Sequence, residues 1–277
     1  MDKITKNAYA KVNLALEVLD EFEGYHKVNN LMIKIDLYDT LKFTKRNDNI
    51  INFPNNPFPN NIILKAIDLF YKEYNITNGL DIELIKNIPS EAGLAGGSSD
   101  GAVTLLMLNE LFEVNASEEK LKDLASKLGS DVPFFISSNL ALCTNRGEVI
   151  NDIDIDVKPI NILLIKIKEG LSTKEVYKNY IYQNIERVDN FNNIYQALKT
   201  NDLDLLNNSI FNDLTTPALK LSTKLNDLYN KLNTIYKTHL SGSGPTMYMI
   251  NPKEDVINKV RSIVDKDTLV IEVTTTK

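Results

Sequence analysis

The chain has 277 residues, 43% of them hydrophobic and 25% charged, enough for one large or two ordinary domains around a packed core. Its 31 lysines and arginines stand against 37 acidic residues, a net charge of −6 with no long basic run, which gives nucleic-acid or anionic-membrane binding no electrostatic support. A single cysteine, Cys143, excludes an internal disulfide and a multi-cysteine zinc site, and no apolar run of about 20 residues offers a membrane span, so the expected location is cytoplasmic.

From Ala8 to Leu19 the residues alternate, with Ala10, Val12, Leu14, Leu16 and Val18 on one face and Lys11, Asn13 and Glu17 on the other. This is the pattern of a half-buried strand, and it points Lys11 and Asn13 the same way. Glu23–His26 reads as a turn around Gly24, with further strands over Leu31–Leu37 and Asp39–Thr44. Asn52–Asn61 holds three prolines and is irregular; it leads into a helix from Asn61 to Tyr74, capped by Asn60 or Asn61, in which Ile63, Ala66, Ile67 and Phe70 recur at helical spacing.

An apolar strand near Ile82–Ile88 is joined to the next helix by Pro89–Gly101, PSEAGLAGGSSDG. A glycine-rich turn between strand and helix exposes backbone N–H groups beside the positive end of the helix dipole, which seats phosphate. The spacing fits neither the P-loop, which ends in Gly-Lys-Ser/Thr, nor the Gly-x-Gly-x-x-Gly dinucleotide fingerprint. Ser98, Ser99 and Asp100 suit a hard cation such as Mg²⁺ and hydrogen bonds to phosphate, while Ser98 or Ser99 serves equally well as a helix N-cap. Ala102–Phe112 describes a mostly buried helix, and Ser117 caps another that stops at Gly129. In Ser130–Phe135, SDVPFF, Pro133 suits a first helical turn behind a capping Ser or Asp, which by itself explains Asp131.

Beyond Ile150 the composition shifts through an acidic segment to a strand at Ile160–Ile167 and helical patterns at Lys174–Tyr182, Asn190–Leu198 and Thr223–Tyr236. A tight loop, His239–Pro245 (HLSGSGP), precedes a strand at Thr246–Ile250, and a last strand covers Thr268–Thr274. Two domains follow, residues 1–150 and 151–277.

AKVNLAL, PSEAGLAGGSSDG and HLSGSGP, in that order across nearly the whole chain, resemble the three motifs of the GHMP kinases, named for galactokinase, homoserine, mevalonate and phosphomevalonate kinases. The resemblance implies an α+β, two-domain fold: a ribosomal protein S5 domain 2-like N-terminal domain that binds ATP, and a ferredoxin-like C-terminal domain. Within the family, AKVNLALEVL, GYHKVNNLMIKIDLYDTLKF, LGSDVPFF and NRGEVI are similar to the branch that phosphorylates the 2-hydroxyl of a cytidine diphosphate-linked methylerythritol in the non-mevalonate route to isoprenoid precursors.

Carried over by position, the resemblance makes Asp131 the general base and sets Lys11 beside it. Tyr25 and Tyr177 become aromatic plates for cytosine and His26 its hydrogen-bonding partner, with Asn13 and Thr173 also contacting the acceptor. Pro89, Ser90, Glu91, Ala92, Gly93, Leu94, Ala95, Gly96, Gly97, Ser98 and Ser99 would wrap the ATP polyphosphate, with Ser99 as the magnesium contact, and Lys86 and Asn61 near adenine. Gly242, Ser243 and Gly244 would approach the reacting substrate from the second domain. The implied partners are ATP, Mg²⁺ and a small-molecule acceptor, with no nucleic acid and no membrane, in a monomer or homodimer. Three positions depart from the pattern. Ala95 replaces a frequent glycine and is tolerable at negative φ, Glu91 adds negative charge to the phosphate loop, and Asp100 stands where some members have asparagine.

Overall fold

Two long antiparallel strands, β1 (Lys3–Phe22) and β2 (Tyr25–Lys45), organise the first lobe of the computed structural model, which describes residues 2–22, 24–56, 60–182, 185 and 187–276. Of the expected turn at Glu23–His26, Glu23 lies outside the described residues, Gly24 has φ +80° and β2 already begins at Tyr25. The pairing slips at Tyr9/Ala10, Asn13/Ala15 and Val18/Glu21, and each irregularity re-aims the strand. Ile4 and Ala8 therefore join one apolar core, Ala10, Val12, Leu14 and Ala15 a second, and Leu16 and Val18 a third. The two strands expected over residues 31–44 are one continuous strand, and β1 is half-buried only toward its ends: across Ala10–Leu16 both faces are sealed, Lys11 and Asn13 as fully as their apolar neighbours, because the second lobe covers their face.

β3 (Ile51–Asn52), α1 (Ile62–Tyr74), β4 (Leu80–Ile85), α2 (Gly96–Leu111), α3 (Glu118–Ser126), α4 (Phe134–Ser137), β5 (Leu140–Thr144) and β6 (Val149–Asp152) complete this lobe. Its sheet runs β3-β4-β2-β1, with β5 paired to β2 and β6 to β5, and residues of α1 to α4 fill its core. The chain continues through β7 (Asn161–Lys166), α5 (Thr173–Lys178), α6 (Val188–Thr200), α7 (Leu203–Ser209), β8 (Phe211–Asn212), α8 (Thr215–Leu221), α9 (Thr223–Asn233), β9 (His239–Leu240), β10 (Thr246–Ile250), α10 (Glu254–Ile263) and β11 (Leu269–Thr274). The second sheet has the order β11-β7-β10-β9 with every neighbouring pair antiparallel, the ferredoxin-like arrangement. β6 spans the expected boundary and pairs in the first sheet, so we propose that the division falls in the 153–160 link. β8 returns to pair in parallel with β1, and the second core takes residues from both lobes.

The caps test the local reading. Asn61 accepts from the Ile63 N–H at 3.0 Å and Ser117 from that of Lys120 at 3.3 Å, as expected. Ser98 and Ser99 do not cap α2: the helix starts behind Ala95, and both serines lie inside its first turn. Nor do Ser130 or Asp131 cap α4, whose N-cap is Pro133 with no side-chain bond. Ala95 has φ +57°, not the negative φ expected of a tolerated alanine, and left-handed backbone disfavours a Cβ. Ala95→Gly is therefore expected to stabilise the protein by about 0.5–1 kcal/mol, read as a rise of a few degrees in melting temperature; a fall would show that the methyl packing outweighs the strain. No helix among the described residues is long and apolar enough to cross a membrane.

Candidate active site

A cleft of about 1280 Å³ lies between the loop before α2, the β1–β2 pair and the tip of the 239–245 loop. Pockets for a single small ligand run to about 1,000 Å³, so this one has room for two substrates side by side.

Its floor is built around Lys11. The ammonium is buried and donates to Asn13 Oδ1 at 2.7 Å and to the Gly93 carbonyl at 2.9 Å. A buried charge without partners would cost several kcal/mol, and these two acceptors together with Asp131 offset that. Burial pushes the Lys11 pKa below the ordinary lysine range, with the Asp131 charge opposing. Asp131 is half-buried in the cleft wall, and its carboxylate accepts no hydrogen bond from the described residues, which leaves it open to a ligand. The alternation in β1 pointed Lys11 and Asn13 together, and the structure brings Asp131 to them from the segment before α4.

Two glycine loops meet above this floor. Gly93 has φ +71°, and a Cβ there would lie 2.3 Å from the Ser241 carbonyl and 3.0 Å from that of Gly244, so only glycine allows the loops to touch. The Ser241 hydroxyl donates to the Gly93 carbonyl at 3.0 Å and to Asn13 Oδ1 at 3.3 Å, and the buried Tyr248 hydroxyl donates to the Asn13 carbonyl at 2.6 Å. Gly242, φ +57°, stands over the Lys11 ammonium, while Ser243 bonds Thr173 hydroxyl to hydroxyl at 2.9 Å. Gly244 lies behind them against Leu240, outside the cleft lining.

On the side of the loop before α2, Pro89, Ser90, Glu91, Ala92 and Gly93 line the cleft, followed by Ala95, Gly96, Gly97 and Ser98 at the start of α2. A Cβ on Gly97 would meet nothing within 4 Å, which is room for a ligand beside the helix N-terminus. Leu94 and Ser99 are instead buried behind the loop, and the Ser99 hydroxyl has no partner. Glu91 turns its carboxylate toward Gly170 in the second lobe, where its charge reaches Lys166.

Asn61 and Lys86 line the same end. The Lys86 ammonium is shared between Asp39 and Asp100, the latter at 2.8 Å. Asp39 is fully buried and also accepts from the Asn87 and Ile88 N–H groups at 2.6 and 2.9 Å, so it ties the entrance of the phosphate loop to β2. Burial pushes the Asp100 carboxyl up to about 7 against the pull of Lys86.

At the other end the His26 ring stacks on Tyr177 with centroids 6.0 Å apart at 23°, and Tyr180 meets it edge-on. His26 Nδ1 lies 3.3 Å from the Leu19 carbonyl. Tyr25 is 58% exposed, its ring 4.9 Å from the Arg146 guanidinium. Tyr177 thus has His26 and not Tyr25 as its ring neighbour; burial and then the Asp131 charge push its phenol above the ordinary range. The sequence reading passed over Asp39, Asn30, Ser241 and Arg146. All four lie within quoted motifs, but nothing in the motifs themselves marks these four side chains as parts of the site.

The N-terminal domain model of the GHMP kinases matches residues 61–139, and their C-terminal model residues 194–269. The chain belongs to the GHMP kinase family, and with it to the small-molecule kinases. It is 38% identical over 248 residues to the 4-diphosphocytidyl-2-C-methyl-D-erythritol kinase of Clostridium novyi, covering 87% of this chain and 88% of the relative. It is 35% identical over 268 residues to the enzyme of that name from Caldanaerobacter subterraneus, covering 95% and 91%. A crystal structure of a 4-(cytidine 5'-diphospho)-2C-methyl-D-erythritol kinase superposes with a TM-score of 0.81 at 25% identity, over 99% of this chain and 100% of the other. A homoserine kinase from Cytophaga hutchinsonii reaches 0.73 at 15% identity, over 100% and 95%, a likeness of fold alone.

Proposed function

We propose that this kinase transfers the γ-phosphoryl group of ATP to the 2-hydroxyl of 4-diphosphocytidyl-2-C-methyl-D-erythritol, in the non-mevalonate route to isoprenoid precursors. The observation that carries the reading is the Lys11 ammonium, pinned by Asn13 and the Gly93 carbonyl, beside an Asp131 carboxylate left open to a cleft whose far end holds Tyr25, His26 and Tyr177. Asp131 accepts the proton as the acceptor hydroxyl oxygen bonds to the γ-phosphorus and the bond to the departing ADP breaks. Lys11 offsets charge on the phosphoryl group in flight, while the α2 N-terminus and the N–H groups of residues 90–98 hold the polyphosphate.

Magnesium fits this site as a cation carried on the phosphates. The described residues hold no group of three His, Cys, Asp or Glu that could bind a metal alone, but Ser98 opens on the cleft and Ser99 Oγ and Asp100 Oδ1 are buried without partners in the same turn. Ser98 and Asp100, which both line the cleft, would supply its protein oxygens, Ser99 being sealed behind the loop and not the contact expected, and the ion would neutralise charge on the phosphates.

Cytosine recognition follows from the His26 tautomer. With Nδ1–H donating to the Leu19 carbonyl, Nε2 is an acceptor, which suits the exocyclic amine of cytosine and rejects the carbonyl that uracil has in its place. His26→Ala is expected to raise the acceptor KM about tenfold or more and to leave the ATP KM within about twofold. Equal effects on both would count against cytosine recognition.

Product analysis tests the position of transfer. The 2-carbon of the acceptor bears a methyl group and no hydrogen, so a phosphate ester there gives a new ³¹P resonance without three-bond coupling to a proton. A coupled multiplet would mean transfer to another hydroxyl.

A further inference from the structure

We propose that Asn30 is a further acceptor-binding residue, whose side-chain N–H donates to a hydroxyl oxygen of the acceptor's carbon chain; the inference rests on the acceptor assigned above. The orientation of the amide follows from its neighbours. An ammonium has donors only, so the Asn13 atom 2.7 Å from Lys11 Nζ is the carbonyl oxygen, and the Ser241 hydroxyl donates to the same atom. Asn13 therefore turns its NH₂ to Asn30, which meets it with Oδ1 at 2.5 Å. What remains of Asn30 is its own NH₂. That group has no partner among the described residues, yet it is not among the sealed, unpartnered polar atoms. Asn30 lines the cleft, so the little exposure it keeps opens there.

Its place along β2 selects the part of the acceptor it meets. His26, Val28 and Asn30 fall at period two on one face of the strand, and all three line the cleft. Asn30 sits four residues from His26, about 13 Å at the rise of a strand, and one hydrogen bond from the Asn13 that holds Lys11. With cytosine at His26 and the reacting hydroxyl at Lys11 and Asp131, the group reaching Asn30 is the polyol chain. The cations that would draw a diphosphate, Arg146, Lys174 and Lys178, come to the cleft from the turn after β5 and from α5. An uncharged donor on β2 suits a hydroxyl.

The test is calorimetric binding of the full acceptor and of CDP, which lacks the polyol, to the wild-type protein, Asn30→Ala and Asn30→Asp. Asn30→Asp keeps an oxygen for Asn13 and loses only the donor, and any effect of its charge on the diphosphate is common to both ligands. The readout is the ratio of the two dissociation constants. Both variants are expected to shift this ratio about tenfold or more against the full acceptor. An unchanged ratio in a folded variant, through intact binding or through equal weakening of CDP, would overturn the inference and leave the proposed function standing. Wild-type protein that binds ATP but neither CDP nor the acceptor would overturn both.

Discussion

Replacing Asp131 with alanine is expected to lower turnover by about 10³-fold, within the 10²–10⁴ range of a positioned general base, while ATP affinity stays within about twofold. Asp131 stands on the short turn before α4, where it makes no capping bond and accepts no hydrogen bond from the described residues. Its charge reaches both the buried Lys11 and Tyr177, so it stands between the Lys11 floor and the aromatic end of the cleft. Asp131→Asn should fall nearly as far, since it keeps shape and loses the proton acceptor. Single-turnover kinetics with a separate ATP titration checks both, and near wild-type turnover in either variant would remove Asp131 as the base.

Gly93→Ala is expected to act on stability and activity together. The new Cβ would sit 2.3 Å from the Ser241 carbonyl, at a φ of +71° that a side chain resists, and the Gly93 carbonyl it displaces holds both Lys11 and Ser241. Forcing the two glycine loops apart should cost about 2–4 kcal/mol of stability and lower turnover by about 100-fold, because Lys11 loses one of two fixed acceptors. Thermal melts and kcat measured on the same preparation decide the matter. A stable variant with normal turnover would mean that contact between the loops does not position Lys11.

The same contact marks the limit of what the chain discloses before folding. The shared direction of Lys11 and Asn13, the Asn61 and Ser117 caps and the strand before α10 depend on residues close in sequence, and each was read correctly, although the half-burial read from the same alternation was not. The slips in β1 depend on a partner strand, and what reads as one apolar face from Ala10 to Val18 is divided between two cores. Lys11 reads as a solvated strand lysine until the 239–245 loop is laid over it. Ala95 looked tolerable because φ has no signature in composition, and α7 and α8 were passed over because helices of two turns take their order from packing, whereas α10, with Ile257 and Val260 at helical spacing, Glu254 and Asp255 in its first turn and Arg261 in its last, carried a legible pattern and was missed. Asp39 anchors the phosphate loop from a strand more than 45 residues earlier, a relation set by register alone.

The most direct measurement is ADP release with ATP and magnesium in the presence, separately, of 4-diphosphocytidyl-2-C-methyl-D-erythritol, the methylerythritol phosphate lacking cytidine, mevalonate and homoserine. Turnover with the first alone is the predicted result. Comparable turnover with any of the others would contradict the assignment of Tyr25, His26 and Tyr177 to cytidine and leave a GHMP kinase with a different acceptor.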